Sequence, residues 1–441
     1  MTFKTSGSTV QKERNPWTWV PSVYFAEGLP YVVVMIVSSI MFKDLGISND
    51  AITFYTGLLN LPWVVKPLWS PFVDITWTKR KWIISMQVII AIGFAAVALV
   101  LHFQNFFAIT IIILGLLAFS SATHDIAIDG FYMLPLSENK QAFFVGIRST
   151  FYRIAMITGQ GLLVILAGYL EATLGKDSGA NTRLAWSITF IVSGILFVLF
   201  FIYHKLILPY PAADKPARSI KSKTIFDDFG KSFVTFFQKE KILIILGFLL
   251  LYRLGESQLV KISSLFMLDA RNVGGLGLTV TDVGFIYGTI GVIALIIGGV
   301  LGGVMIARDG LKKWLWFMIV AINLPDLFYV YLAFAQPSNI SIIYICVAIE
   351  QLGYGFGFAA YMIYMLYISI GEFKTSHFAL ATGFMALGMM IPGMFSGMLQ
   401  EAIGYKYFFV WVCIATVPSF IIAKFIPLDG SFGMKKQEIT S

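Results

Sequence analysis

Long apolar stretches recur along the whole of this chain, and they constrain its fold more than any other feature. A helix that crosses a lipid bilayer needs about 20 mostly apolar residues, and twelve stretches of roughly that length can be read from the sequence. Charged residues make up only 13% of the 441 residues, about half the share in soluble domains. The chain is therefore predicted to be an all-α protein embedded in a bilayer.

The apolar stretches form two sets of six, separated by a polar segment at 206–240 that contains Pro, Lys and Ser in linker-like density. The sequence predicts an amino-terminal six-helix bundle at 1–205, this linker, and a carboxyl-terminal six-helix bundle with a short tail at 241–441. In order, the predicted helices are 17–41, 51–73, 82–101, 107–133, 142–169, 184–205, 241–268, 281–306, 314–335, 340–369, 376–400 and 406–427.

The distribution of Lys and Arg predicts the orientation. An even number of helices puts both termini on one side, where 22 of the 32 basic residues fall, whereas the opposite loops hold five. Cytoplasmic loops of membrane proteins carry the excess of positive charge, so both termini and the linker are predicted to be cytoplasmic. The same clusters explain the net charge of +8 without a nucleic-acid partner, and none is expected.

The two halves repeat one another. Glu27 and Glu256 lie at equivalent places in the first helix of each half, and Asp125 and Glu350 in the fourth. The loops FVDITWTKRKW and IARDGLKKW each join an acidic residue to a basic cluster and end in Trp. Such matches at nearly one offset indicate a duplicated six-helix unit.

The basic loops themselves allow two interpretations. Asp74 and Arg80 in the first loop, and Asp309 in the second, are predicted to have a structural or gating role. The alternative is that these residues only determine topology.

Ionisable residues deep in the apolar stretches are the main functional signal. A charge at the bilayer centre costs about 2.5–3.5 kcal/mol on insertion scales, so such residues usually face a cavity or a partner. A rise of about 1.5 Å per residue puts several near mid-membrane, which predicts a shared polar centre. They are Glu27, Asp125, Arg153, Arg253, Glu256 and Glu350. Asp326 is equally deep, and a packing role is expected for it.

Spacing suggests specific pairs. Asp125 and Asp129 are four residues apart and share a helical face. Arg148 and Arg153 follow after a short loop, so one of them is predicted to pair with one of these acids. Arg253, three residues before Glu256, is close enough to pair with it on one helix.

Candidate roles follow from residue type. The proton-coupling candidates are Asp125, Asp129, Glu27, Glu256 and Glu350. The substrate-binding candidates are Arg153, Arg253, Tyr24, Tyr31, Trp63, Tyr354 and Tyr361. Lys66 and Arg148 are predicted to be structural. The alternative is that the charges are ion pairs that lock helix packing, and that the aromatic residues only fill helix interfaces.

The six-plus-six pattern and the loop motifs resemble the major facilitator superfamily. The segments YFAEGLPYVV, LPWVVKPLWSPFVD and SSATHDIAIDGFYM look like its AmpG-type muropeptide permeases, and the related acetyl-CoA carriers share the last pattern. The resemblance implies proton-driven import of peptidoglycan fragments across the bacterial inner membrane. His124 stands where the group usually has Gln, and Glu256 where Asp is expected, so a free amino sugar such as N-acetylmuramate is also considered.

The sequence is also compatible with other functions. The chain could transport acetyl-CoA, another sugar or, outward, a drug, or it could be a non-transporting membrane sensor. An enzyme such as an acyltransferase is disfavoured because the four His show no ligand spacing such as HExxH. No catalytic residue, cofactor or metal is expected, and the protein is expected to be a monomer that works with a polar solute, protons and lipid.

Overall fold

The computed structural model consists of helices and the turns that join them. It describes residues 14–136, 138–175, 179–215, 222–371, 373–430 and 432, and within these ranges a few side chains, including that of Asp74, are not described. The described part of the chain contains no strand. The predicted all-α fold is confirmed.

The helices follow one another with short connections. They are α1 (Pro16–Asp44), α2 (Asn49–Leu58), α3 (Leu61–Thr76), α4 (Lys79–Val100), α5 (Phe106–Tyr132), α6 (Glu138–Ile157, continued by Val164–Leu174), α7 (Gly179–Ile207), α8 (Ser222–Phe237), α9 (Ile242–Leu268), α10 (Val280–Asp309), α11 (Leu311–Ala335), α12 (Ile340–Ile368), α13 (Lys374–Ala415) and α14 (Val417–Ala423).

Ten stretches of the described chain are long and apolar enough to cross a membrane. The last of them, Ser376–Ala423, is 48 residues long and is broken at Gly404, whose φ of 74° is not helical. Dividing it there gives two stretches where the sequence predicts the last two helices. The predicted second helix corresponds to α2 and α3, which are separate helices of 10 and 16 residues. Each is shorter than the roughly 20 residues that a membrane-spanning helix needs.

Besides the tight turn at Leu324–Asp326 in α11 and the break at Gly404 in α13, four helices depart from α-helical geometry within their length. Wide π-helical turns occur at Val33–Val37 in α1, at Thr158–Leu163 in α6 and at Ile286–Gly291 in α10. In α9 the helix ends at Leu251 and restarts at Leu254. Such turns are frequent at functional sites, and irregular backbone at membrane depth is tolerated where it lines a cavity.

The packing differs between the two ends of the molecule. We call the end that carries residues 14 and 432 and α8 the linker side, and the opposite end the far side. On the linker side, one hydrophobic cluster belongs to residues 19–208 and another to 236–423. Towards the far side a single cluster joins both halves, from Ala26 to Val412. The halves are therefore packed together at the far side and have separate cores at the linker side.

Glycines make the far-side contact between α6 and α10 very close. A Cβ atom on Gly288 would lie 2.0 Å from the Cα atom of Gly161, so no side chain fits there. On the same two helices, a Cβ on Gly168 would lie 2.4 Å from the hydroxyl oxygen of Thr281. The small residues allow the backbones to approach, as they do in other membrane helix pairs.

Candidate functional site

A cavity of about 180 Å³ lies between the two halves. The amino-terminal half contributes Tyr31, Asn60 and Gln160 to its lining, and the carboxyl-terminal half contributes Arg253 and Lys261. All four irregular turns contribute to the lining: α1, α6 and α10 through their π-helical turns, and α9 through its break. These four departures from α-helical geometry thus surround one central space.

A second cavity, of about 520 Å³, lies next to the first on the linker side. The two share Met156, Leu295 and Tyr354 in their linings. Glu27 and Arg153 also line the second cavity. The two cavities therefore adjoin, and together they extend from the central space towards the linker side.

An acidic cluster in the amino-terminal half borders this space. One carboxylate oxygen from each of Glu27, Asp125 and Asp129 lies within 4.8 Å of the others. Asp125 forms a salt bridge with Lys66 of α3, and Asp129 forms one of 3.3 Å with Arg148 of α6. The predicted pairing across the α5–α6 hairpin is therefore confirmed for Asp129 and Arg148, whereas Arg153 is not part of it.

The cluster has one more carboxylate than cations in contact with it. Glu27 is only 8% exposed, and one of its carboxylate oxygens has no hydrogen-bond partner among the described residues. Tyr24 donates a hydrogen bond of 3.2 Å to Asp129 and accepts one of 3.0 Å from Arg148. Two carboxylates are thus engaged by cations, which leaves Glu27 as the member without a cation in contact.

Arg253 does not pair with Glu256 as the spacing predicts. It occupies the break in α9, where its φ and ψ of −114° and 25° are not helical, so the helical three-residue spacing does not apply. Its guanidinium instead donates to the hydroxyl of Tyr354 at 2.6 Å and to the sulfur of Met389 at 2.7 Å. It also lies over the ring of Phe358, and it presents a positive charge to the central cavity.

The remaining deep acids lie behind the cavity wall. Glu256, Asp326 and Glu350 are at most 2% exposed, and none of them lines either central cavity. Glu350 accepts hydrogen bonds of 3.2 and 3.0 Å from Gln351, which does line the central cavity. The predicted polar centre therefore consists of an acidic cluster in the amino-terminal half that borders the linker-side cavity, and a group of acids in the carboxyl-terminal half that is buried behind the cavity wall.

A polar network closes the far side. Lys43 at the end of α1 forms a 2.6 Å salt bridge with Asp269, next to the end of α9. Asn49 donates to Gln400 at 2.6 Å and to Tyr405 at 2.8 Å, and Tyr405 donates to Asp269. These contacts join the two halves, so the described residues close the central cavity at the far side.

The aromatic candidates separate into two groups. Tyr31 and Tyr354 line the central cavity, and Trp63 packs edge-on against Tyr31 with ring centroids 5.0 Å apart. Tyr24 lines the linker-side cavity. Tyr361 is 1% exposed and stacks on Tyr252 with centroids 4.8 Å apart, so it fills a helix interface, as the packing alternative predicts.

The loop residues make local contacts at the linker side. Arg80 donates to the carbonyl oxygen of Lys205 and lies 3.8 Å from the ring centroid of Tyr210, which fixes the loop to the end of α7. Asp309 pairs with Arg308 at 2.9 Å and accepts a hydrogen bond from Trp314. The side chain of Asp74 lies outside the described residues.

Lys261 is a site residue that the sequence reasoning missed. Its amine donates to the hydroxyl of Thr56 in the other half at 3.1 Å. Ser257, Lys261 and Ser264 all line the cavity at positions i, i+4 and i+7 of α9. This polar stripe on one face of an apolar helix was a usable signal.

Comparisons with known proteins agree with this geometry. A family model described as the Major Facilitator Superfamily matches residues 22–369. The AmpG 4 protein of Rickettsia conorii is 25% identical over 411 residues, covering 90% of this chain and 93% of that protein. The anhydromuropeptide permease of Escherichia coli K12 is 24% identical over 413 residues, covering 90% of this chain and 77% of that permease.

Solved structures show the same fold at low sequence identity. A mutant of the nucleoside transporter NupG has a TM-score of 0.70 at 14% identity, covering 94% of this chain and all of that one. A D-xylose-proton symporter has a TM-score of 0.69 at 12% identity, covering 93% and 97%. The protein is therefore a multi-pass membrane transporter and not an enzyme, and the chain belongs to the Major Facilitator Superfamily, with similarity to the AmpG-like permeases.

Proposed function

We propose that this chain is a proton-coupled importer of an anionic peptidoglycan-derived solute, either a muropeptide or an amino sugar, in the bacterial inner membrane. One observation carries the proposal. Among the residues described as lining the central cavity, the charged ones are Arg253 and Lys261, and none is a carboxylate. A site with this charge favours a solute that brings negative charge to it.

Muramic-acid derivatives have the matching chemistry. N-acetylmuramate carries a free carboxylate on its lactyl ether. In muropeptides that carboxyl forms the amide bond to the peptide, and the carboxylates of the peptide supply the negative charge, whereas N-acetylglucosamine carries none. Arg253 can bind a carboxylate through two parallel N–H groups, and Tyr31 and Tyr354 offer aromatic surface for a sugar ring. Similarity to an anhydromuropeptide permease over 90% of this chain supports the same choice.

Charge balance in the amino-terminal cluster supports coupling to protons. Three carboxylates share two contacting cations, Lys66 and Arg148. Burial disfavours an unpaired charge, so one proton completes the balance, and Glu27 is the member without a cation in contact. Glu27 lines the linker-side cavity, where it can exchange that proton with water.

The difference between the two ends of the molecule supports import as the direction of transport. We infer that the linker side faces the cytoplasm, because the basic residues concentrate there. The far-side network around Lys43 and Asp269 is closed, while the wider cavity lies on the linker side. This arrangement corresponds to an inward-facing state, from which an imported solute would be released.

Uptake into proteoliposomes tests the proposal. The full-length protein is given labelled anhydromuropeptide, N-acetylmuramate, N-acetylglucosamine and acetyl-CoA, each with and without an inward-directed proton gradient. We expect uptake of at least one muramyl compound, concentrated only when the gradient is present, and no uptake of N-acetylglucosamine. The matched sugars differ in the lactyl carboxylate, so equal uptake of both would contradict anion recognition.

Two further outcomes would each contradict one part of the proposal. Uptake of a muramyl compound that ignores the gradient would remove the proton coupling. Uptake of acetyl-CoA alone would keep anion recognition and replace the peptidoglycan-derived solute.

A further inference from the structure

The structure contains a second group of acids that the proposed function does not use. Asp326 lies on a tight turn, Leu324–Asp326, inside α11, where Pro325 interrupts the helix. Its side chain is completely buried, and neither carboxylate oxygen has a hydrogen-bond partner among the described residues. Glu256, from α9, is 1% exposed and also has an unpartnered oxygen. Both acids, with Glu350, are close enough to interact electrostatically.

Few charges are available to compensate these three acids. The titratable groups that face them are Arg253 on α9, Tyr287 on α10, Tyr329 on α11, Tyr354 on α12 and Cys413 on α13. Among them only Arg253 is a cation, and its guanidinium is held by Tyr354 and Met389 rather than by a carboxylate. Three ionised carboxylates would therefore leave uncompensated charge in the low-dielectric interior, which burial strongly disfavours.

Hydroxyl groups connect these acids to the central cavity. Tyr287 lines the cavity, and its hydroxyl is hydrogen-bonded to that of Tyr329. The Tyr329 hydroxyl in turn faces Glu350. Two hydroxyls in a row, each both a donor and an acceptor, form a path along which a proton can pass from cavity water to a buried carboxylate.

We propose that Glu256, Asp326 and Glu350 form a second proton-binding site, reached from the central cavity through Tyr287 and Tyr329. This site rests on the proposed function, because it assigns a second coupled proton to the same transport cycle. It lies in the carboxyl-terminal half and is separate from the cluster of Glu27, Asp125 and Asp129. The packing role expected for Asp326 from the sequence is replaced by a role in holding a proton.

The first test needs no solute. Infrared difference spectra of the purified full-length protein in lipid are recorded through a pH change and after transfer to heavy water. We expect a protonated-carboxyl signal that titrates and exchanges, and that loses intensity in Asp326→Asn and in Glu350→Gln. Spectra in which neither substitution changes the signal, or in which the signal does not exchange, would overturn the proposal.

The path is tested with a smaller change. Tyr287→Phe removes one hydroxyl and should slow exchange at the carboxyl signal by about tenfold, because the path then has a gap. Tyr331→Phe is the matched control, since Tyr331 lies on α11 with 46% of its surface exposed and is not on the path. Equal exchange in Tyr287→Phe and the wild type would show that the hydroxyl pair is not the route.

Transport gives the second test. With the membrane potential clamped at zero, anhydromuropeptide accumulation is measured against the imposed pH difference, and the logarithmic slope gives the protons carried per solute. We expect a slope of about two for the wild type and about one for Glu350→Gln. A wild-type slope of about one, or accumulation driven by sodium instead, would overturn the second site. Failure of wild-type uptake together with intact infrared results would reject the proposed solute and retain the site.

Discussion

The two acidic groups of the molecule contain the same number of carboxylates and compensate them differently. In the amino-terminal half, Asp125 and Asp129 each contact a cation, and Glu27 opens to the linker-side cavity. In the carboxyl-terminal half, Asp326 contacts no cation among the described residues and does not line the cavity. Both halves thus contain buried acids.

The cations were not retained in the same way. The residue pairs that match between the halves are 225–232 positions apart, so the counterpart of Lys66 falls within 291–298, which reads GVIALIIG and contains no charge. The amino-terminal acids are therefore balanced mainly by side chains, whereas the carboxyl-terminal acids depend on protons. This difference predicts that the two groups respond differently to the loss of a carboxylate.

The largest expected effect is on transport after Asp125→Asn. The substitution leaves Lys66 without its carboxylate partner, and a loss of about 3 kcal/mol in coupling corresponds to roughly 100-fold. Concentrative uptake of anhydromuropeptide into proteoliposomes should fall by that factor while the protein remains in the membrane. Glu240→Gln, at an exposed position on the linker side, is the control. Wild-type accumulation by Asp125→Asn would refute the role assigned to the amino-terminal cluster.

A smaller effect should appear in stability. Asp125→Asn should lower the free energy of unfolding by about 2–3 kcal/mol, because the partly buried Lys66 loses its partner. Lys66→Met in the same chain should restore most of the loss. Asp326→Asn should change stability by less than about 1 kcal/mol, since an amide replaces a protonated acid. Thermal unfolding in detergent measures all three, and a drop for Asp326→Asn as large as for Asp125→Asn would mean that Asp326 is ionised.

A similarly small effect on stability is expected for Arg148→Gln. The salt bridge to Asp129 is 3.3 Å long, and its two side chains are 33% and 43% exposed. An ion pair so accessible to water contributes about 1 kcal/mol at most. The thermal shift should be small and should shrink further at high salt. A large change in the unfolding temperature that does not depend on salt would show that this ion pair is as strong as a buried one.

Much of the architecture follows from the sequence because it depends on length and hydropathy. The long apolar stretches predicted the helices α4 to α7 and α9 to α12 within a few residues. The hairpin geometry of two helices with a short connection predicted that Arg148 or Arg153 pairs with Asp125 or Asp129, and the structure selects Arg148 and Asp129. These are local relationships, so a single sequence contains enough information for them.

The rest depends on contacts between distant parts of the chain. Nothing in the spacing of Arg253 and Glu256 reveals that α9 breaks at Arg253, because the break is stabilised by Tyr354 and Met389 on other helices. The π-helical turns in α6 and α10 meet at Gly161 and Gly288, a tertiary contact that neither local sequence specifies. The position of Asp326 among other acids was hidden for the same reason.

The proposed transport requires that a solute passes through the space between the two halves. Met156 lines both cavities, so Met156→Cys, with the native Cys346 and Cys413 replaced by Ser, places a thiol at their junction. We predict that a water-soluble thiol reagent labels it and that anhydromuropeptide slows the labelling, while Ser193→Cys, buried in α7, stays unlabelled. No labelling at position 156, or labelling that no muramyl compound slows, would contradict the account.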